Sequence, residues 1–178
     1  IKERSYKASE ELAELFGEPE VLKGYGRRNT TLMAVAPTTS SAFILGQVSQ
    51  SIEPIWSNCY VKDLAKTKVT IKNPQLKDVL AKYGRDDRET WINIRTYDGS
   101  VQQLDCLSDK EKEVFLTFEE LNQADIIYQA SIRQKHIDQG QSLNVMVGSN
   151  ITTKELNEMY VNAWSSGIKG LYYQHSTN

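Results

Sequence analysis

Apolar residues recur along this chain with two different periods, and the change from one to the other divides it into elements. From Ser9 to Phe16 the residues Leu12, Leu15 and Phe16 share one face at helical spacing, and Gly17 follows, which predicts a helix ending there. Pro19 to Lys23 adds a single turn closed by Gly24. Thr30 to Ala36 is instead short and apolar on both alternations, which predicts a strand covered on both faces, as in a parallel sheet. Pro37 ends that strand, and Ser40 or Ser41 is placed to cap a helix beginning at Ala42. The stretch from Gly46 to Lys68 has no clean period, and Pro54 biases Glu53 away from helix.

Helical spacing returns after Asn73-Pro74, a cap followed by a first-turn proline, with Leu76, Val79, Leu80 and Tyr83 on one face and Gly84 as the stop. Asp98-Gly99 marks a turn. Three pairs have the spacing of a capping box: Ser108 with Glu111, Thr117 with Glu120, and Thr152 with Glu155. The second predicts the longest helix, Phe118 to Ile137. The third predicts an amphipathic helix over Thr153 to Ser166, using Leu156, Met159, Tyr160, Ala163 and Trp164 and stopped by Gly167. Ser142 to Val147 and Ile168 to Gln174 read as strands. Alternation of this kind implies an α/β fold with parallel strands joined by right-handed crossovers. Two or three strands are few for a closed sheet, so the chain reads as a single segment, 1–178, of a larger barrel or sheet.

Composition narrows the chemistry. The 178 residues suffice for one sizeable core, and 39% apolar with 25% charged residues is ordinary for a globular protein. A net charge of −2 argues against a nucleic-acid footprint. No run approaches the roughly 20 apolar residues that span a bilayer, and no signal peptide is apparent. Cys59 and Cys106 lack metal-type spacing and only two histidines exist, so no metal site is expected. Two reduced thiols suit a cytoplasmic protein.

Two features carry candidate chemistry. Pro37-Thr38-Thr39-Ser40-Ser41 is a hydroxyl-rich turn between a strand and a helix, where unpaired backbone N–H groups and hydroxyls together suit a phosphate; a simple capped turn is the alternative. Tyr172-Tyr173 is an adjacent phenol pair able to pass an electron and a proton between rings; the alternative is packing, one ring inward and one outward. Gly24-Tyr25-Gly26-Arg27-Arg28 lacks the third glycine of a dinucleotide fingerprint and precedes a strand instead of following one. Glu53 and Asp138 read as structural hydrogen-bonding groups and His136 as a surface residue, while His175 stands too near the end to assign.

The order of these blocks resembles the class I ribonucleotide reductase large subunit. Asn29 to Ser41 resembles its strand and phosphate loop. Ile44-Leu45-Gly46, Ser51-Ile52-Glu53-Pro54, Ser57-Asn58, Asn73-Pro74, Ile137-Asp138-Gln139, Gln141 to Asn144 and Gly167 to Tyr173 continue it in family order. The resemblance implies the C-terminal part of a ten-stranded α/β barrel and the reduction of ribonucleoside diphosphates to deoxyribonucleotides. It implies that Pro37, Thr38, Thr39, Ser40 and Ser41 hold the substrate diphosphate. Tyr172, nearer the radical cysteine, and Tyr173, nearer the subunit interface, would relay the radical.

The family's finger-loop motif of Asn, Cys and Glu, its reducing cysteine pair, its effector region and its cysteine-bearing tail are absent from these residues. Alone, therefore, the chain is expected to be inactive, the product of a split gene or a truncation. Its implied partners are the remaining N-terminal portion of the large subunit, a small radical-generating subunit that contains the metal, and the diphosphate substrate. No cofactor is expected on this chain itself, and thioredoxin or glutaredoxin would reduce the whole enzyme. The alternative is a non-catalytic phosphate-ligand binding or assembly module derived from the same barrel.

Overall fold

The computed structural model describes residues 1–46, 49–64 and 67–176. Twelve elements follow in order: α1 (Lys2–Phe16), a 3-10 turn (Glu20–Leu22), α2 (Thr39–Ile44), β1 (Cys59–Leu64), β2 (Thr67–Lys72), α3 (Pro74–Lys82), α4 (Arg88–Thr96), α5 (Asp109–Val114), α6 (Gln123–Gln134), β3 (Val145–Val147), α7 (Thr153–Ser165) and β4 (Gln174–Ser176). The chain divides into two compact units. One comprises Ile1–Ala36, Gln123–Val145 and Asn150–Gln174, the other Pro37–Asn122, Met146–Ser149 and His175–Asn178.

In the first unit, α6 packs against α7 and buries Ile126, Ile127 and Ala130 on one side and Ala163 on the other. The helix α1 starts well before the expected Ser9, and the face predicted to be buried is not. Leu15 and Phe16 are 74% and 67% exposed, while Ser9 and Ala13 form the buried stripe. Ser9 explains the choice, because its hydroxyl accepts from the N–H groups of Arg28 and Asn29 and donates to the Asn29 side chain at 2.9 Å. The expected strand over Thr30 to Ala36 reduces to one parallel bridge, Val35 with Gln141, flanked by bonds from Gln139 N to Met33 O and from Ser142 N to Val35 O. A strand inside a parallel sheet is hydrogen-bonded along both edges, and among the described residues this one has a partner along one edge only.

The core of the second unit is Cys59, Leu76, Leu80, Trp91, Ile94, Val101, Leu104, Leu107 and Phe115. Asn73 caps α3 as predicted, accepting from the N–H groups of Gln75 and Leu76. Its other side-chain atom donates to the fully buried Asn58, whose amide in turn donates to Gly99 O at 2.9 Å and Phe115 O at 2.7 Å. That polar knot ties four chain segments together within an apolar core. The antiparallel hairpin β1–β2 and helix α4 were not anticipated. Val69 and Ile71 do alternate with Lys68, Thr70 and Lys72, but Ala65-Lys66 carries no turn residue; these two lie outside the described residues.

The long helix expected over Phe118 to Ile137 is corrected to Gln123–Gln134. Glu120 does accept from the N–H and hydroxyl of Thr117, yet the box closes only a turn. Phe118 donates its N–H to Ile55 O and is fully buried there, which draws the chain off the helical path. The boxes at Ser108 and Thr152 open α5 and α7 as expected. Both later strands are displaced: Ser142 to Val147 narrows to β3, and Ile168 to Gln174 gives way to β4, with which β3 pairs.

Candidate functional site

The hydroxyl-rich turn lies in the second unit. The expected cap at Ser40 or Ser41 is displaced, since α2 begins at Thr39 and Thr38 O accepts the first helical bond, from Ala42 N at 2.8 Å. Thr38 and Thr39 are both engaged by the protein. Thr38 Oγ1 accepts from Ser51 N at 2.8 Å, and Thr39 Oγ1 donates to Gln50 Oε1. Ser40 and Ser41 are exposed, and among the described residues their hydroxyls have no protein partner. Pro37 is exposed as well.

Gln50 connects this turn to a buried acid. Its amide nitrogen donates to Glu53 Oε2 at 3.2 Å, and Trp56 Nε1 donates to the same oxygen at 3.0 Å. Glu53 is 5% exposed and serves as the hydrogen-bonding anchor that the sequence reading anticipated. Trp56 continues the packing, with Phe118 at 5.8 Å and His175 at 4.6 Å, both edge-on. The bracing by Gln50 and Ser51 was missed because residues 46–68 offered no periodic pattern. The only available signal was the proximity of three polar residues to Pro54.

The tyrosine pair lies in the first unit. Tyr172 and Tyr173 have ring centroids 4.2 Å apart, inclined at 59°. A regular strand would send these neighbours to opposite faces. Here the backbone is irregular until Gln174, and three bonds to a buried segment hold it: Tyr172 N to Leu143 O at 2.8 Å, Tyr173 N to Asn144 Oδ1 at 3.1 Å, and Val145 N to Tyr173 O at 3.0 Å. Asn144 is buried and stands alone as a polar residue within Leu143 to Val147, a signal that sequence reasoning could have used. The neighbouring Tyr173 phenol, above all, raises the pKa of Tyr172. The rings are about half exposed, at 52% and 56%.

Other candidate groups have structural roles or none assigned. Asp138 accepts from Leu32 N at 2.6 Å and from the Tyr6 hydroxyl at 3.3 Å, and the Leu32 bond above all lowers its pKa. Burial raises the Cys59 thiol. Cys106 borders an open, polar cleft of about 480 Å³ together with Arg85, Glu89, Asn93 and Gln103. Among the described residues no group of three His, Cys, Asp or Glu could hold a metal ion, and no helix is long and apolar enough to cross a membrane.

The sequence model of the ribonucleotide reductase barrel domain matches residues 5–174. The chain is 43% identical over 169 residues to the ribonucleoside-diphosphate reductase large subunit of Invertebrate iridescent virus 6, covering 93% of this chain and 18% of that protein. It is 39% identical to the alpha subunit of the Chlamydia trachomatis enzyme, covering 89% of this chain and 15% of that one. Among solved structures, the Actinobacillus ureae class Id ribonucleotide reductase alpha subunit superposes with a TM-score of 0.88 at 52% identity, over 99% of this chain and 32% of that chain. The chain therefore spans less than a third of the length of these relatives. The partial α/β barrel expected from the sequence is the fold of this domain.

Proposed function

The chain belongs to the ribonucleotide reductase barrel-domain family, and from that premise we propose that it forms the C-terminal part of a class I ribonucleoside-diphosphate reductase large subunit. In this reading it works with the remaining N-terminal portion of that subunit, which brings the radical and reducing cysteines, and with a metal-containing small subunit that supplies the radical. Thioredoxin or glutaredoxin renews the reducing thiols, and the complex acts in the cytoplasm.

The observation that carries this reading is the tyrosine pair, with rings 4.2 Å apart on a backbone tied down at three points. Packing alone does not require two half-exposed phenols to lie side by side. A relay does. Once Tyr173 has been oxidised to its neutral radical, Tyr172 gives it one electron, and the Tyr172 phenolic proton passes to the Tyr173 oxygen. Tyr173 is then a phenol again and Tyr172 the radical, so electrons and protons balance. Tyr172 passes the oxidation on to the cysteine of the N-terminal portion.

The Pro37–Ser41 turn supplies the second role, binding of the substrate diphosphate. Ser40 and Ser41 have hydroxyls to donate, while Thr38 and Thr39 are held in place by Ser51 and Gln50. Pinning the substrate by its phosphates leaves the ribose to face the radical, an orientation effect.

The test is direct. In a full-length large subunit assembled with its small subunit, Ser40→Ala and Ser41→Ala should each raise the diphosphate KM by about tenfold or more, because a hydrogen bond to a charged group is worth roughly 1.5–3 kcal/mol. Thr39→Ala should weaken binding as well, through loss of the turn's support. Unchanged affinity in all three would overturn the loop assignment.

A further inference from the structure

We propose that the turn formed by residues 50–53 is the second wall of the diphosphate site, and that the Ser51 hydroxyl donates directly to a phosphate oxygen of the substrate. The proposal rests on the reading of Pro37–Ser41 given above and adds a residue to it.

Three observations converge on Ser51. Its backbone is left-handed, with φ of 52°, a conformation that among the described residues only one other non-glycine, Asp98, adopts. Such a conformation is unfavourable for a residue with a side chain and persists where the surroundings impose it. Second, that conformation accompanies a specific contact, because the Ser51 N–H donates to Thr38 Oγ1 at 2.8 Å. Ser51 therefore adjoins the candidate phosphate loop directly. Third, Ser51 Oγ is buried and has no hydrogen-bond partner among the described residues. Buried hydroxyls are nearly always satisfied, and one that is not calls for a reason. A phosphate held by the neighbouring loop provides one, since it offers acceptor oxygens to the hydroxyl.

The surrounding groups fit an anion despite the nearby acid. Gln50 links Glu53 to the loop, its amide standing between the carboxylate and Thr39. The Glu53 Oε2 atom that faces Gln50 also accepts from Trp56. At Thr39 the loop therefore meets a neutral amide. The resulting site would hold phosphate by hydroxyl and backbone donors, the exposed Ser40 and Ser41 among them. The ligand class is the diphosphate of a ribonucleotide.

Ser51→Gly separates a binding role from a structural one. Glycine adopts the left-handed conformation without penalty and leaves no hydroxyl behind. If Ser51 only shapes the turn, Ser51→Gly should be neutral or stabilising and should leave binding alone. If the hydroxyl contacts phosphate, the thermal midpoint should hold or rise while the KM for ribonucleoside diphosphate increases about tenfold or more, with kcat within about twofold of wild type. The measurement uses the full-length large subunit with its small subunit. Ser51→Ala, which also lacks the hydroxyl, should show the same rise in KM even where its left-handed alanine lowers the thermal midpoint. Ser40→Ala and Ser41→Ala are measured in parallel. If they raise KM and both Ser51 variants do not, the role of Ser51 is overturned and the loop stands. If none of the four raises KM, the loop reading itself fails, and this inference with it.

Discussion

Replacing Tyr172 with phenylalanine tests the relay more sharply than any other single change, because structure and function make very different demands on the same oxygen atom. The substitution keeps the ring and its 4.2 Å contact with Tyr173. It also keeps the bond from residue 172 N to Leu143 O, which is a backbone interaction. What disappears is one O–H on a ring that is 52% exposed. Even a full neutral hydrogen bond shifts an equilibrium by only roughly a factor of five, and at a half-exposed site by less. On structural grounds the thermal midpoint of the assembled enzyme should move by no more than about 3 °C, and turnover should change by less than about tenfold. A relay makes a different demand. Phenylalanine has no phenolic proton to give and is not oxidised by a tyrosyl radical, so the path is cut. Turnover should then fall by roughly a thousandfold or more, far beyond what a lost hydrogen bond can cause. The assay compares steady-state deoxyribonucleotide formation with equilibrium binding of the diphosphate in the same assembled enzyme. Binding should be unchanged. A variant that turns over within tenfold of wild type would refute the relay, whatever its stability.

Two further predictions address the fold that supports the site. Gly99→Ala should destabilise the protein by on the order of 3 kcal/mol, from a left-handed φ of 91° and a Cβ that would meet backbone atoms of Ser57 and Asn58 at 2.7 Å; urea unfolding reads the change, and a variant as stable as wild type would contradict the packing described at Asn58. Asp138 has its pKa lowered first by the Leu32 N–H, so its contribution is present above the unfolded carboxylate pKa of about 4 and is lost as the pH falls through the folded value. Asp138→Asn should therefore flatten the acid limb of the stability profile, and an unaltered limb would show that Asp138 does not carry it.

Local signals were legible in the sequence wherever the chain satisfies its own needs locally. Asn73-Pro74, the Ser108 and Thr152 boxes and the Asp98-Gly99 turn all appear where their residues place them. Signals failed where a distant partner decided the outcome. The Thr117 box was overridden by Phe118 bonding to Ile55, some sixty positions away in sequence. The apolar face of α1 was overridden by Ser9, whose hydroxyl serves two backbone donors. The hairpin was hidden because Ala65-Lys66, between its two strands in sequence, is not a pair that announces a hairpin. Of the candidate site, the loop and the phenols were legible as motifs, Glu53 as a structural hydrogen-bonding group, and Asn144 as a lone polar residue in an apolar run, but Gln50 and Ser51, which fix the loop's geometry, were not. Such bracing residues are chosen by spatial contact, and spacing along the chain carries no trace of it.

The displaced last strand shows why one such failure bears on function. A regular strand over Ile168 to Gln174 would have satisfied the sequence pattern and placed Tyr172 and Tyr173 on opposite faces. Instead regular pairing begins only at Gln174, and the two tyrosines occupy the irregular stretch just before it. An irregular segment ordinarily costs rigidity. Here the loss is offset by Leu143, Asn144 and Val145, a buried segment that engages the peptide groups of both tyrosines. Asn144 is the element a ladder could not provide, because its side chain accepts the Tyr173 N–H where a strand would offer a carbonyl. The backbone thus gives up strand geometry at the two residues whose rings must share a side, while those residues remain fixed. Conserving the strand would have favoured packing; abandoning it brings the two phenols within 4.2 Å, the separation on which the proposed relay depends.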